Sequence, residues 1–466
     1  MSIPNAVNSL LARFRQSKHP GESSEQLDTV VAKIPDLLPK TIISVLMHDV
    51  LGKVQVILPA NCLLDVDALN SKLGRELQAI YGDDDASIRA RHRLVSSSES
   101  RGDKGIPCVV DRMVGLMDEF YLDVGDGVNL VKISKNSLDA FLEYAREEDF
   151  AVPVEKISAN SCNQESDFVQ INQAIKKFTC LRIKQRLDDT LELPPLPATA
   201  KKIIHLRADP EAGVNELADV VETDPPLAAQ VVSWASSSFY AAPGKIKSVR
   251  DAIIRVLGFD LVMNLSMGLA LGKTLQDPKD GPRGLIDYWQ QSVWVATACG
   301  ALAGAIPREE RPEVGLSYLS GLLHNFGYLI LAHVFPPHFS LICRYIEANE
   351  HLDNAYIEHH LLGITREQLG SRLMHVWGVP DEVVVALRHQ KTPAYRGIHS
   401  RLSGLIFIAR NMLTERGIPL GAAHHIPDSL YQHLCLDPGR AAEVIDDLIG
   451  SKDEIMQMAG MMEGNR

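Results

Sequence analysis

The spacing of apolar residues changes character partway along the chain. Up to about residue 165, short β-branched runs such as Thr41–Met47, Val54–Leu58 and Val128–Ile133 alternate with turn signals and helical stretches, the pattern of a mixed α/β region. Asp123-Val-Gly-Asp-Gly-Val128 is a turn between two strand-like runs. After Leu193 apolar residues recur at helical spacing, strand signals vanish, and the interruptions are short and rich in Pro and Gly, so this part is expected to be all-helical. Between them lie the polar stretch Ala159–Ser166, a helical reading for Phe168–Thr190 and the stiff Leu193-Pro-Pro-Leu-Pro197. The expected division is an α/β domain at 25–155, a helical linker at 156–192, a helical domain at 193–425 and a helical extension at 426–466. In that extension Ala441–Ile449 is well patterned, and the methionine-rich Met456–Met462 is expected to fray as a chain end. No internal repeat or low-complexity tract interrupts the pattern.

With 466 residues the chain is too long for one ordinary core. Hydrophobic residues make up 45% and charged residues 23%, values of a globular protein. The net charge of −12 argues against a main role in non-specific binding to nucleic acid or anionic membrane, which needs clustered Lys and Arg. Seven cysteines lie at 62, 108, 162, 180, 299, 343 and 435 with no CxxC pair, which suggests reduced thiols rather than a zinc site or disulfide framework. Met1–Pro20 has no apolar run of signal-peptide length, and the most apolar later segments, Leu261–Gly272 and Val293–Ile306, fall short of the ~20 residues that span a bilayer. The expectation is a cytoplasmic protein with no membrane partner.

Three ordered segments open the helical region: Leu193-Pro-Pro-Leu-Pro-Ala-Thr-Ala200, Leu217-Ala-Asp-Val-Val-Glu-Thr-Asp-Pro-Pro226 and Ser248-Val-Arg-Asp-Ala-Ile-Ile-Arg-Val-Leu-Gly258. Trp289-Gln-Gln-Ser292, Gly321-Leu-Leu-His-Asn-Phe-Gly327 and Leu369-Gly-Ser-Arg-Leu-Met-His-Val-Trp-Gly-Val-Pro380 follow. Local physics explains parts of them: Asp224 can cap a helix begun by Pro225, Gly258 and Gly378 suit helix-ending turns, and Pro380 precedes a new helix. Together, over about 190 to 420, they resemble the HDOD domain, a degenerate relative of the HD hydrolases.

That resemblance implies a lost metal site. HD hydrolases hold divalent metal with a His, a His-Asp doublet and further His or Asp residues, and the metal lowers the pKa of bound water. The matching positions here fall at or near Gln291, at His324-Asn325, at Arg366, at His389-Gln390 and near Arg410. Two imidazoles without a carboxylate suit Mg²⁺ or Mn²⁺ poorly, and Arg366 puts a fixed positive charge where a cation would sit. No metal or other cofactor is expected. His324 reads either as a residue packed beside Trp289 or as part of a retained pocket in which Arg366, Arg410 and His389 accept an anion such as a nucleotide phosphate. The pairs His359-His360 and His424-His425 read as incidental. An apolar surface around Trp234 and Phe239-Tyr240 reads as core or as a docking face.

Upstream, Pro39-Lys40-Thr-Ile-Ile43, Val54-Gln-Val-Ile-Leu-Pro59, Asp65-Val-Asp-Ala-Leu-Asn-Ser-Lys-Leu-Gly74 and Gly105-Ile-Pro107 are similar to the YbaK-like family that hydrolyses mischarged aminoacyl-tRNA. The similarity implies that Lys40 orients the aminoacyl-tRNA end, with Gly102, Gly105 and Pro107 beside the acyl pocket. A lysine at a strand start can hold a phosphate or carbonyl oxygen, and N–H groups beside glycine can stabilise an oxyanion. Lys40 equally reads as a solvated lysine. The basic cluster Arg89, Arg91, His92, Arg93, Arg101 and Lys104 either faces RNA phosphates or offsets Asp83-Asp84-Asp85. The whole chain is expected to be an α+β multidomain protein: a bacterial signalling or regulatory protein with a non-catalytic HDOD scaffold and a protein partner. The alternative is an aminoacyl-tRNA deacylase regulated by the helical domain.

Overall fold

The computed structural model describes residues 29–32, 35–80, 106–123, 129–157, 164–184, 195–241, 244–275, 278 and 281–463. The chain forms two compact units. Unit 1 takes in residues 1–158 together with 282–284 and 341–360; unit 2 takes in 159–281, 285–340 and 361–466. The fold is α+β, with strands in the N-terminal region and helices after it.

Unit 1 is built on a mixed sheet. Strands β1 (Thr29–Ala32), β2 (Thr41–Asp49), β3 (Gly52–Pro59), β6 (Cys108–Asp111), β7 (Phe120–Asp123), β8 (Asn129–Ile133) and β9 (Arg146–Glu148) run in the order β1-β8-β7-β2-β3-β6-β9, with β5 (Gln78–Ala79) added against β2. β2 and β3 form an antiparallel hairpin from Ile42↔Pro59 to Asp49↔Gly52, and Gly52, at φ 124°, supplies the backbone conformation that closes it. β2 pairs parallel with β7, and β3 with β6. Ile42, Ile57, Val110, Phe120, Val131 and Leu138 meet in one buried cluster, so the strand-like runs read from the sequence supply one apolar face. Helix α1 (Val66–Leu73) is capped by Asp65, which accepts from the Ala68 N–H at 2.9 Å, and ends at Gly74 with φ 63°.

Residues 341–360 complete this unit through side-chain hydrogen bonds. β4 (Cys62–Leu64) pairs with β10 (Ala151–Pro153), and Asn349 serves the remaining backbone groups of Leu64: its Oδ1 accepts from Leu64 N–H at 2.7 Å and its Nδ2 donates to Leu64 O at 3.0 Å. The Tyr345 hydroxyl donates to Asp65 Oδ1 at 2.8 Å and accepts from the Asp67 N–H at 3.1 Å. His360 Nε2 lies 3.4 Å from Asp65 Oδ2. Burial pushes the Asp65 carboxyl up, but the hydrogen bonds from His360, Ala68 N–H and Tyr345 prevail and hold it at about 2. His360, expected to be incidental, is therefore a partner of the α1 cap.

Among the described residues unit 2 contains helices and no strand. Its central helices are α9 (Phe259–Gly272), α10 (Tyr288–Ala305), α11 (Val314–Leu323) and α12 (Phe326–Val334). The 21-residue run Val314–Val334 is long and apolar enough to cross a membrane, and 94% of its most apolar stretch is buried inside the protein. Its apolar content belongs to the core, and the sequence reading, which took 261–272 and 293–306 as the most apolar segments, overlooked it. Trp234 is 1% exposed, so of the two readings, core or docking face, this residue takes the first, while Phe239 and Tyr240 are half-buried. Helix α20 (Lys452–Glu463) does not fray: Ile455, Met458 and Ala459 are fully buried and Met462 nearly so. Unbranched, adaptable methionines fill irregular gaps of this kind.

Helix α4 (Gln164–Lys184), expected as a linker, belongs to unit 2 and is fastened there by Asp167. Asp167 accepts from Arg388 Nε at 2.5 Å and Nη2 at 2.9 Å, and from Gln368 Nε2 at 2.7 Å. Arg372 lies over the Phe168 ring at 5.0 Å.

Candidate functional site: a buried polar chain in the helical unit

Six helices carry the residues that the sequence matched to HD ligand positions. Gln291 comes from α10, and His324-Asn325 form the break between α11 and α12. Arg366 opens α15 (Arg366–Val376), His389 ends α16 (Asp381–His389) with Gln390 as its cap, and Arg410 lies on α17 (Ser400–Glu415). Two glycines let these elements approach closely. A Cβ at Gly321 would meet the backbone of Ala296 and Val295 at 2.6–2.7 Å, and one at Gly327 would fall 1.9 Å from the Arg366 carbonyl oxygen. The sequence Gly321-Leu-Leu-His-Asn-Phe-Gly327 thus frames the site sterically. Arg366 begins its helix behind Thr365, whose hydroxyl and backbone exchange hydrogen bonds with Gln368.

A directional chain of hydrogen bonds links three of these residues. Arg366 Nη1 donates to Asn325 Oδ1 at 3.0 Å, Asn325 Nδ2 donates to Gln291 Oε1 at 3.1 Å, and Gln291 Nε2 donates to Ile286 O at 2.6 Å. All three side chains are buried. The chain explains the residue types. Asn325 must accept from a cation and donate to an amide, which an aspartate cannot do. The guanidinium also lies 5.2 Å from the Tyr328 ring centroid.

His324 keeps the form of a metal ligand without the set around it. Its Nδ1 is 2.7 Å from Gly321 O, so Nδ1 carries the hydrogen and Nε2 keeps its lone pair. Burial pushes its pKa down to about 3, the charges of Arg410, Arg366 and Lys391 push the same way, and the Gly321 carbonyl opposes them. Three cations therefore act on His324, and like charges repel a further cation there. His389 stacks on Tyr395 with ring centroids 3.8 Å apart. Its pKa falls to about 4, through burial and then Arg388, with Asp167 opposing. Gln390 Nε2 donates to His324 O at 2.7 Å and to Leu387 O at 3.0 Å, tying α16 to the α11–α12 break. Arg410, half-buried, donates from Nη2 to Leu420 O at 3.4 Å. Among the described residues no group of three His, Cys, Asp or Glu side chains is placed to hold a metal ion. The donor set present does not fit a divalent cation.

Asp167 and Gln368 are the residues that the sequence reading missed. The signal was Arg388 beside His389, because an arginine buried next to a site requires an acid within reach.

In unit 1, Lys40 ends the 3₁₀ turn Pro35–Lys40 immediately before β2 and pairs with Glu119 at 2.5 Å, half-exposed. Glu119 also binds Lys132 at 2.8 Å, and the two ammonium groups, Lys132 first, hold its carboxyl at about 2. The carbonyl of Pro107 accepts from Gln55 N–H at 2.8 Å at the start of β6. Gly102, Gly105, the basic cluster from Arg89 to Lys104 and the turn glycines at 125 and 127 lie outside the described residues.

Fold and site together define a helical bundle with a buried hydrogen-bonded chain of two amides and a guanidinium at its centre. The HDOD domain family model matches residues 193–393. A provisionally named signal transduction protein from Marinobacter aquaeolei VT8, solved as a crystal structure, is 47% identical, with 99% of this chain and all of that one aligned at a TM-score of 0.85. Residues 193–393 of this chain form an HDOD domain. An HDOD domain protein from Geobacter sulfurreducens is 23% identical over 62% of this chain and 97% of that one, at a TM-score of 0.48. Among curated proteins, an uncharacterized protein from Treponema pallidum (strain Nichols) is 23% identical over 212 residues, 45% of this chain; the match spans only 39% of that relative's length.

Proposed function

We propose that this chain is a cytoplasmic bacterial signalling or regulatory protein whose helical unit is a non-catalytic scaffold that binds a protein partner. The observation that carries the reading is the Arg366–Asn325–Gln291 hydrogen-bonded chain, a polar network with no carboxylate in it, formed by residues that resemble HD ligand positions. The net positive field at His324, set by Arg410, Arg366 and Lys391, favours an anion such as a nucleotide phosphate over a metal ion at this position. In unit 1 the pairing of Lys40 with Glu119 supports a structural role for that lysine over contact with aminoacyl-tRNA.

Two assays on the full chain test this reading. The first measures hydrolysis of cyclic dinucleotides and nucleotides with Mg²⁺ or Mn²⁺; metal-dependent turnover would end the scaffold reading. The second measures deacylation of a panel of mischarged aminoacyl-tRNAs beside a Lys40→Ala variant with an unchanged melting curve. Turnover lost in that variant would make the protein an editing enzyme carrying a regulatory HDOD unit, whereas no turnover supports the scaffold.

A further inference from the structure

Unit 2 contains a second feature apart from the Arg366–Asn325–Gln291 chain: a cavity of about 440 Å³ lined by Leu316, Glu382, Ser400, Arg401, Leu402 and His433 among others. That volume lies within the roughly 300–1,000 Å³ typical of small-molecule sites. Ser400 is 7% exposed, and its Oγ lies 2.9 Å from His433 Nε2.

A hydroxyl and a neutral imidazole together carry two hydrogens on polar atoms, and their mutual bond uses one. Whichever tautomer holds, the pair has one further hydrogen to donate, from the imidazole or from the hydroxyl. The imidazole is neutral at physiological pH because burial, then the charges of Arg396 and Arg401, keep its pKa below the ordinary value. The same two arginines make this end of the cavity favourable for negative charge, even though Arg401 is engaged with the carboxylate and carbonyl of Glu310.

The acidic lining residues differ from each other. Glu313 is paired with Arg207 at 3.1 Å. Glu382, half-buried in the first turn of α16, has no ion-pair partner among the described residues. A carboxylate of this kind in a cavity attracts an ammonium group. Leu316 and Leu402 add apolar surface. A ligand satisfying all three features has a carboxylate, an ammonium group and a modest apolar side chain.

We propose that this cavity binds a free α-amino acid, with its carboxylate against the Ser400–His433 pair and its ammonium against Glu382. The test is isothermal titration calorimetry on the full chain with individual standard amino acids. The best binder is then compared with its N-acetyl form and its decarboxylated amine. At least one amino acid binds with a Kd of about 1 mM or tighter, and either modification weakens it by about tenfold or more. Glu382→Gln, at a half-exposed position, weakens the amino acid by about tenfold and leaves the N-acetyl form unchanged, because that form has no ammonium to lose. Ser400→Ala, checked by its melting curve, weakens the amino acid but not the decarboxylated amine. The proposal is overturned if no amino acid binds below about 10 mM, if the N-acetyl form binds as tightly as the parent, or if Glu382→Gln binds it unchanged.

Discussion

The Asp167 clamp yields the sharpest prediction about stability. Asp167 and Arg388 side chains are 10% and 8% exposed, so removing the carboxylate leaves a guanidinium in a site that water barely reaches. Breaking a buried pair from one side costs about 3–5 kcal/mol, most of it the penalty for the charge left behind. Asp167→Ala also deprives Gln368 Nε2 of one acceptor, which puts the effect toward the upper end of that range. All four tryptophans, at 234, 289, 294 and 377, lie in unit 2, so their fluorescence reports this unit alone. With a urea dependence of about 3 kcal/mol per molar, the fluorescence midpoint should fall by about 1–2 M. The double variant Asp167→Leu/Arg388→Met should recover most of the loss, because an apolar pair carries no stranded charge. A fall of less than about 0.3 M for Asp167→Ala, or a double variant as unstable as the single one, would refute the argument that charge burial dominates here.

Three further outcomes are expected. Gly327→Ala forces a methyl group against the Arg366 carbonyl oxygen and should lower the melting temperature of unit 2 by about 4–10 °C, measured by tryptophan fluorescence. Met458→Ala, at a fully buried position, should cost about 2–5 kcal/mol in urea unfolding; a change near zero would mean that α20 is not docked in solution. Native His324 and His389 stay neutral down to about 3 and about 4, whereas the unfolded chain protonates them near pH 6.5. Below that pH the unfolded state binds more protons, so the stability of unit 2 should decline as pH falls from 6.5 toward 4 and level off above 7. Urea midpoints at pH 7.5 and 5 check this, and His324→Gln should flatten the slope.

What the sequence made legible was local. Asp224 caps its helix by accepting from the Leu227 N–H, with Pro225 in the first turn, and Gly258 and Gly378 take left-handed φ values of 81° and 73°, because each requirement is set within a few residues. The strand runs of unit 1 were also visible, since alternation and β-branching need no knowledge of partners. The site was half legible. Family spacing pointed to Gln291, Asn325 and Arg366, but not to the direction of the hydrogen bonds that make an asparagine fit there. Asp167 lay hidden because its partner Arg388 is 221 positions away. Helical periodicity shows that a face is buried without showing against what, so nothing in residues 341–360 indicated that they cluster with the strands of unit 1.

The placement of residues 341–360 bears on how such a protein can evolve. A domain that is one uninterrupted stretch can be exchanged between genes by a single recombination junction. Unit 1 cannot: Tyr345, Asn349 and His360 are encoded far downstream, with unit 2 sequence on both sides. A new N-terminal α/β region joined by one crossover would arrive without the side chains that serve Leu64 and Asp65, and the residues left downstream would keep asparagine and tyrosine groups suited to a missing strand. The two parts of this gene are therefore expected to be inherited together and to vary in concert at these positions.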